Sequence, residues 1–203
     1  MIMDIFKGRK GSSIRPFRKS AVVIPIIEKE DGLHIIFEMR ALNLKSQPGD
    51  ICLPGGKLDE GEDYKRAAER EFKEELYCTD EDFQIIGEMD YFVSPYGSLI
   101  YPFVAEVYKM PDKFNIKEVD HVFTVPIEYF LKNEPICYPM KIGPQLDESF
   151  PFDLIRGGNG YKFTTTLLNQ YFYKFDDYVI WGFTALIVKS FIDILKQEEG
   201  MDK

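Results

Sequence analysis

Three glutamates at helical spacing are the residues of this chain best suited to chemistry. Glu71, Glu74 and Glu75 lie in the run REFKEEL, which begins at Arg70. If the run is helical, the three carboxylates share one face, because residues three and four positions apart are neighbours on a helix. Like charges on one face destabilise a helix unless a cation lies among them. Mg²⁺ and Mn²⁺ accept carboxylate oxygens and share substrate phosphates, so the spacing predicts a metal-dependent reaction on a phosphate compound.

A pair of glycines upstream favours this interpretation over an ordinary solvated helix face. On such a face, Arg70 and Lys73 would simply neutralise the glutamates. Gly55 and Gly56 follow a leucine and a proline and precede the loop that leads into the helix. Glycine lets the backbone approach a ligand closely or adopt positive φ, which residues with a Cβ seldom do. A backbone carbonyl from this turn could then join the carboxylates as a metal ligand.

From Gly56 to Cys78 the chain resembles the Nudix box, G-x5-E-x7-R-E-U-x-E-E-x-G-U, where U is a bulky apolar residue. The matching residues are Gly56, Glu62, Arg70, Glu71, Phe72, Glu74 and Glu75. The resemblance implies a metal-dependent hydrolase with an α+β fold, a Nudix-type α/β/α sandwich around a mixed β-sheet. The chain departs from the pattern at Tyr77, where a glycine would end the helix in a left-handed conformation. If the helix ends there in the same way, Tyr77 costs roughly 1–2 kcal/mol of stability, and the alternative is a helix that runs on or ends differently. In either case no metal ligand is lost.

The resemblance also implies roles for the glutamates of the box. Glu74 and Glu75 would be ligands of Mg²⁺ or Mn²⁺, together with the Gly55 carbonyl. Glu71 would be either a ligand or the general base. The ion would neutralise charge on the bridging phosphates and activate or orient the attacking water, with one to three ions in the site.

Other charged residues are expected to complete this catalytic set. Arg70 would pair with Glu62 and hold the loop of the box against the helix, which is a structural role inside a functional motif. Members of the family often need a further carboxylate from outside the box. Glu118 and Glu148 are the two candidates for that carboxylate in this chain.

The residues before the box resemble the extended signature of the coenzyme A diphosphatases, T-x-R-[SA]-x3-R-x3-G-x3-F-P-G-G. Arg40, Lys45 and Gly49 stand at the spacings of that signature. Three positions depart from it, because Glu38 replaces the threonine, Lys45 the second arginine and Leu53 the phenylalanine. Lysine keeps the charge but loses the bidentate geometry of arginine. The resemblance implies hydrolysis of coenzyme A or its thioesters to 3′,5′-ADP and a 4′-phosphopantetheine product.

Candidate substrate contacts lie in or beside the glycine turn. We expect Arg40, Lys45, Gly56 and Lys57 to bind substrate phosphates, with solubilising surface charge as the alternative for the three basic residues. Three aromatic residues would line a pocket for the substrate or pack in the core: Tyr96, Phe103 and Trp181. Two other functions stay open, a Nudix hydrolase acting on another nucleotide such as ADP-ribose or an oxidised nucleotide, and a catalytically silent nucleotide-binding protein.

The composition predicts a soluble, packed protein. The chain has 203 residues, of which 45% are hydrophobic and 15% aromatic, and its net charge is −9. Such a charge argues against nucleic acid or an anionic membrane as a partner. The resemblance implies a small-molecule nucleotide as the partner, and a homodimer is one option for assembly. An odd number of cysteines without ligand spacing (Cys52, Cys78 and Cys137) predicts reduced thiols and a cytoplasmic location. No apolar run approaches the ~20 residues of a membrane span.

The pattern of apolar residues predicts one Nudix domain over residues 20–203, after a basic and solvated segment at residues 1–19. The predicted elements are a hairpin (20–27 and 33–40), a short strand (51–53), a helix (64–76), two longer strands (83–93 and 99–108), a strand and brief helix (122–126 and 127–131), an irregular insertion (133–160), a late hairpin (161–163 and 171–175) and a closing helix (180–196). Ala68, Phe72 and Leu76 should face the sheet. The two histidines, His34 and His121, match no motif and are expected at the surface.

Overall fold

A computed structural model describes residues 2–198 and 200 of the chain. The chain divides after Glu128 into two compact units. The single domain expected over residues 20–203 stays a prediction. In the part of the chain described, every helix falls short of the length and apolar character that crossing a membrane requires.

The first unit is built on one mixed sheet. Its elements, within the described residues, are α1 (Ile2–Phe6), β1 (Arg18–Lys29), β2 (Gly32–Arg40), β3 (Ile51–Cys52), β4 (Gly55–Lys57), α2 (Tyr64–Leu76), β5 (Phe83–Glu88), β6 (Phe92–Val93), β7 (Ser98–Val107) and β8 (Val119–Pro126), followed by α3 (Ile127–Lys132). The strand order is β3-β2-β1-β7-β5, with β4 on β1, β6 on β7 and β8 on β2. β1 and β7 run parallel and the other pairs are antiparallel, so the predicted mixed sheet is confirmed.

The central strand β1 positions the glycine turn. Its residues 20–22 pair with residues 55–57 of β4, and its residues 26–29 pair with residues 32–35 of β2. The opposite edge of β1 is paired along ten residues with β7. Ala21, Val23 and Ile24 are fully buried, as expected of a strand covered on both faces. The turn is therefore paired with the central, buried strand of the sheet.

Helix α2 has the bounds that the sequence predicts. Asp63 caps its first turn, because the carboxylate accepts the Arg66 N–H at 3.0 Å. Ala68, Phe72 and Leu76 are buried against the sheet, which confirms the predicted inward face. Glu75 is buried together with these apolar residues, whereas Glu74 is exposed, so the box glutamates extend from the buried face of the helix to its surface.

Helix α2 ends in the conformation that a glycine would adopt. Tyr77 lies in the left-handed region, with φ 49° and ψ 36°. Its side chain is 58% exposed, so little packing compensates for the backbone strain. The expectation that this position costs stability is thus consistent with the backbone, and the helix does not run on past Leu76.

We expect Tyr77→Gly to raise the free energy of unfolding by about 1 kcal/mol. Relief of the left-handed strain is partly offset by the greater freedom that glycine gives the unfolded chain. Urea unfolding measures the change. Tyr77→Ala is the matched control, because it removes the same ring but keeps the Cβ. Equal stability of the two variants would show that the ring, and not the backbone, sets the energy of this position.

The second unit is a small antiparallel sheet with one long helix. It contains, among the residues described, β9 (Ile136–Ile142), two short 3₁₀ helices (Phe152–Leu154 and Gly158–Gly160), β10 (Thr166–Phe175), β11 (Tyr178–Trp181) and α4 (Gly182–Glu198). The strand order is β11-β10-β9. Helix α4 contacts β10 and β11, and buried residues such as Val188 and Ile192 lie along it.

Three predicted elements near the end of the chain are wrong in part. The irregular insertion 133–160 contains strand β9, which pairs with β10. The late hairpin joins β10 to β11, so residues 161–163 are not one of its strands. Helix α4 starts at Gly182, because Ile180 and Trp181 pair with Tyr173 and Phe172 in the sheet.

Two predictions for the first unit also need correction. The strand predicted over residues 83–93 is two strands, because the chain leaves the sheet between Glu88 of β5 and Phe92 of β6. The pairing of β5 with β7 also shifts register between Ile85 and Gly87. His34 is only 5% exposed, so the prediction that it lies at the surface is wrong. It lies on β2 between β1 and β8, where its Nε2 is 3.0 Å from Oδ1 of Asp31. His121 is partly exposed and lies 2.7 Å from the carboxylate of Asp120.

Candidate active site

The glycine turn brings the first strand residues of β4 against two glutamates of α2. A Cβ on Gly56 would lie 2.4 Å from the carboxyl carbon of Glu71, so only glycine leaves room for this carboxylate. The N–H of Gly55 donates a hydrogen bond of 2.7 Å to Oε2 of Glu75. Gly55 has φ +149°, and a Cβ there would lie 2.3 Å from the carbonyl oxygen of Ala21. Both glycines are therefore required by close contacts.

Arg70 joins the loop of the box to the helix. Its Nε and Nη2 donate to the two carboxylate oxygens of Glu62, each at 3.0 Å. Nη2 also donates to the Lys57 carbonyl at 3.0 Å, and Nη1 donates to Glu71 at 2.9 Å. A bidentate pair of this kind fixes orientation as well as energy. The pairing of Arg70 with Glu62 that the resemblance implied is present, and the same guanidinium also orients Glu71.

Burial sets the charge properties of the carboxylates. Glu75 is 4% exposed, and burial raises its pKa to about 8. Burial also raises the pKa of Glu71, against the opposing effect of Arg70. The pKa of Glu62 is lowered, chiefly by its hydrogen bond from Arg70. The acids nearest the glycine turn are thus the ones whose charged form is disfavoured by burial.

Glu118 lies within electrostatic range of the box. Its charge raises the pKa of both Glu71 and Glu75. The side-chain amide of Asn115 donates to Glu118 at 3.1 Å, while the Asn115 N–H donates to the Glu75 carbonyl at 2.7 Å. This carboxylate from outside the box is therefore tied to the end of α2. Glu148 lies in the second unit and is exposed, and its participation stays a prediction.

Comparison with known proteins identifies the family. The family model of the NUDIX domain matches residues 16–136. This chain belongs to the Nudix family. The matched region contains the glycine turn, α2 and Glu118, so it includes every site residue described above for the first unit.

Curated relatives cover different parts of the Nudix chain. A peroxisomal coenzyme A diphosphatase of Caenorhabditis elegans is 32% identical over 115 residues, 53% of this chain and 49% of its own length. One of Mus musculus is 31% identical over 115 residues, 56% of this chain and 49% of its own length. The mitochondrial Nudix hydrolase 15 of Arabidopsis thaliana is 30% identical over 179 residues, 84% of this chain and 56% of its own. The chain thus spans about half the length of the curated relatives it matches.

A solved structure resembles most of the chain. The MutT/nudix family protein of Enterococcus faecalis has a TM-score of 0.54 at 12% identity, over 96% of this chain and 68% of its own. At this identity the likeness concerns the fold alone. Together with the mixed sheet, it confirms the predicted α+β Nudix-type sandwich.

Glu38 is a residue of the Nudix site to which sequence reasoning assigned no role. It is 1% exposed on β2, and its Oε1 has no hydrogen-bond partner within residues 2–198 and 200. Its Oε2 accepts a weak bond from Sγ of Cys52 at 3.8 Å. Burial, and then the charge of Glu75, raises the pKa of Glu38 well above its usual range. The signal in the sequence was the replacement of the signature threonine by an acid.

The expected substrate contacts have different environments. Arg40 is half-buried, interacts electrostatically with Glu38 and Glu75, and has an Nε without a hydrogen-bond partner among the residues described. Lys45 and Lys57 are exposed. Of the three aromatic candidates, Phe103 is a core residue, Tyr96 is exposed, and Trp181 stacks on Phe172 in the second unit. The phosphate-binding roles of the basic residues stay predictions.

The donor set of the box suits a hard divalent cation. Within the described ranges, no three His, Cys, Asp or Glu side chains lie close enough to form a finished metal site. Arg70 instead lies among the acids, 2.9 Å from Glu71 and 3.4 Å from Glu74. The buried Oε1 of Glu38 lacks a hydrogen-bond partner within the described residues, and burial disfavours the charged form of Glu75, so a cation there would stabilise both carboxylates. Carboxylate oxygens with uncompensated charge fit Mg²⁺ or Mn²⁺ better than a softer metal.

Proposed function

We propose that this chain is a metal-dependent hydrolase that cleaves the phosphoanhydride of a nucleoside diphosphate linked to another moiety. The observation that carries the proposal is that Glu71 and Glu75 of helix α2 contact the glycine turn, with Glu74 on the same helix. The favoured substrate is coenzyme A or one of its thioesters, giving 3′,5′-ADP and 4′-phosphopantetheine. The upstream signature and the names of two relatives support that choice.

Each carboxylate of the box has a proposed task. Glu74, Glu75 and the Gly55 carbonyl would hold Mg²⁺ or Mn²⁺, which supplies charge neutralisation at the phosphates and a more acidic water. Glu71 would either bind the ion or accept the proton of the attacking water. Its contact with Arg70 at 2.9 Å would keep that carboxylate oriented during proton transfer.

Other residues would position the substrate. The bidentate contact of Arg70 with Glu62 holds the loop that begins at Lys57, and so fixes the edge of the site. Arg40, Lys45 and Lys57, with the backbone at Gly56, would bind phosphate oxygens. Phosphoryl transfer depends mainly on such positioning and on charge stabilisation, so the protein needs no covalent intermediate.

Hydrolysis of a substrate panel with Mn²⁺ tests the proposal. The panel contains coenzyme A, an acyl-coenzyme A, ADP-ribose, NADH and a dinucleoside polyphosphate. We expect the highest kcat/KM for coenzyme A or its thioester, with 3′,5′-ADP among the products by chromatography. A higher value for a compound without the pantetheine arm would reject the proposed substrate and leave the hydrolase proposal intact.

A second candidate function keeps the reaction and changes the substrate. Glu38 interacts electrostatically with Arg40 and offsets the charge that would bind a phosphate, and Lys45 lacks the fork of an arginine. ADP-ribose or an oxidised nucleotide would need fewer phosphate contacts than coenzyme A. The same panel separates ADP-ribose from coenzyme A, and adding an oxidised nucleoside triphosphate to it covers the other case. A catalytically silent binding protein is disfavoured because all the box glutamates are present. Nucleotide binding without turnover of any panel member would favour it.

The remaining predictions concern partners and location. We propose a small-molecule nucleotide as the partner, without nucleic acid or membrane, and leave a homodimer as an option. The names of the relatives place them in peroxisomes and a mitochondrion, so the cytoplasmic location stays a prediction.

A further inference from the structure

Glu38 is the buried acid of the first unit that the proposed function does not use. Its Oε1 lacks a hydrogen-bond partner in the part of the chain that the structure describes, and its Oε2 has a thiol contact at 3.8 Å. A buried carboxylate without good partners costs free energy. Such a residue is therefore a poor choice for stability alone.

The sheet places Glu38 next to the segment that leads into the glycine turn. Its neighbours in the adjacent strands are Cys52 on β3 and Val122 on β8. Cys52 lies three residues before Gly55, at the start of the glycine turn. The strongest interaction of Glu38 with another charged group is with Glu75, followed by those with Arg40 and Glu118. Glu38 thus lies on the sheet within electrostatic range of Glu75, whereas the acids of the box lie on α2.

Negative charge exceeds positive charge around this point. Five carboxylates are linked by electrostatic interactions: Glu38, Glu71, Glu74, Glu75 and Glu118. Arg40 and Arg70 are the basic groups that interact with them, and Arg70 is already engaged by Glu62. Buried charge of one sign requires a counterion or neutralisation. A divalent cation at the box would supply that counterion.

We propose that Glu38 strengthens the binding of the divalent cation at the Nudix box, acting as a carboxylate from outside the box. The inference rests on the proposed function, because it takes the box as a cation site. The coenzyme A diphosphatase signature has a neutral threonine at this position, so the extra charge is a property of this chain. A nearby cation favours an ionised carboxylate, and a carboxylate favours the cation by the same free energy.

The competing explanation is that Glu38 only neutralises Arg40. In that case its removal would leave the Arg40 guanidinium buried without compensation, and the protein would lose stability. Cation affinity would then stay unchanged or rise. The two explanations therefore predict opposite changes in stability of the metal-free protein, and different changes in affinity.

Mn²⁺ binding without nucleotide is the first measurement, by calorimetry and by the electron paramagnetic resonance signal of free Mn²⁺. We compare the unchanged chain with Glu38→Thr, which restores the signature residue, and Glu38→Gln, which keeps the size. Both variants should bind Mn²⁺ roughly 10- to 100-fold more weakly. Glu106→Gln is the matched control, because Glu106 is an exposed glutamate on strand β7. The Mn²⁺ affinity of this variant should equal that of the unchanged chain.

Thermal unfolding is the second measurement, in EDTA and in millimolar Mn²⁺. In EDTA both Glu38 variants should unfold at a higher temperature than the unchanged chain, because an unsatisfied buried acid has been removed. The rise in Tm on adding Mn²⁺ should be smaller in these variants, since stabilisation by a ligand follows its affinity. Glu106→Gln should match the unchanged chain in both conditions.

The outcomes separate this inference from the proposed function. Equal Mn²⁺ affinity in the unchanged chain and both Glu38 variants overturns the inference, and substrate turnover would still support the function. Lower stability of both variants in EDTA, including failure to fold, also overturns it and favours neutralisation of Arg40. Absence of Mn²⁺ binding by the unchanged chain contradicts the inference and the metal premise of the proposed function together.

Discussion

Glu74→Gln should lower kcat about 10³-fold and leave the free energy of unfolding almost unchanged. The substitution keeps the shape of the side chain and removes the charge that would hold the cation. Charge stabilisation by a metal is worth several kcal/mol in the transition state, and each 1.36 kcal/mol is a tenfold change in rate. Glu74 is 59% exposed and contacts Arg70 at 3.4 Å, so folding depends little on it. Steady-state kinetics with the best panel substrate and urea unfolding measure the two effects.

Glu69→Gln is the matched control for this experiment. Glu69 lies on the same helix, and its carboxylate is 3.9 Å from Nζ of Lys65. It occupies one of the unspecified positions of the Nudix box, so kcat should stay within about twofold of the unchanged value, as expected for loss of a surface ion pair. Full activity of Glu74→Gln would remove Glu74 from the site. A large loss in both variants would indicate a general effect of the charge of α2.

The sequence predicts α2 and its contacts well because the information is local. Asp63 at the cap, the four-residue spacing of Ala68 and Phe72, and the end at Leu76 all act within a few turns of one helix. The glycine turn is visible in the sequence as two adjacent glycines, although the contacts that exclude a Cβ there come from Ala21, Val22 and Glu71 elsewhere in the chain. Local agreement between propensity, pattern and capping is what makes an element predictable.

The role of Glu38 could not be predicted, because its burial depends on distant strands. In the run LHIIFEMR the alternation of β2 is masked by continuous apolar residues, as in strands covered on both faces. Cys52 of β3 and Val122 of β8 enclose Glu38, and they are 14 and 84 residues away along the chain. Only the fold brings these strands together, so the sequence could show the departure from the signature but not its surroundings.

The second unit was harder to predict for a related reason. Strand β9 contains Pro139, which is typical of loops, yet it lies at the edge of its sheet, where a missing N–H is tolerated. The apolar run around Ile180 suits either a strand or the start of a helix. Because Ile180 pairs with Tyr173 in the sheet, the run belongs to a strand. Short apolar runs are ambiguous until their long-range partners are known.

The two glycines of the turn should respond to the same substitution in different ways. In Gly55→Ala the new Cβ would meet backbone atoms, the Ala21 carbonyl oxygen at 2.3 Å and the Val22 Cα at 2.6 Å. Neither can move without disturbing the central strand, so we expect a loss of about 3 kcal/mol in the free energy of unfolding. In Gly56→Ala the Cβ would meet the Glu71 carboxylate at 2.4 Å, which is the end of a flexible side chain.

Gly56→Ala should therefore lower activity more than stability. Relief of the contact requires Glu71 to move by about 1 Å, and a displacement of that size costs about 10²-fold in rate when the group acts on the substrate. Urea unfolding and kcat/KM with the best panel substrate measure both properties for each variant. Gly87→Ala is the control, because a Cβ at this position would meet no heavy atom of the described residues within 4 Å. If Gly56→Ala keeps full activity, the observed position of Glu71 is not the one used in the reaction. If Gly55→Ala keeps full stability, that result contradicts the close packing of the turn on β1.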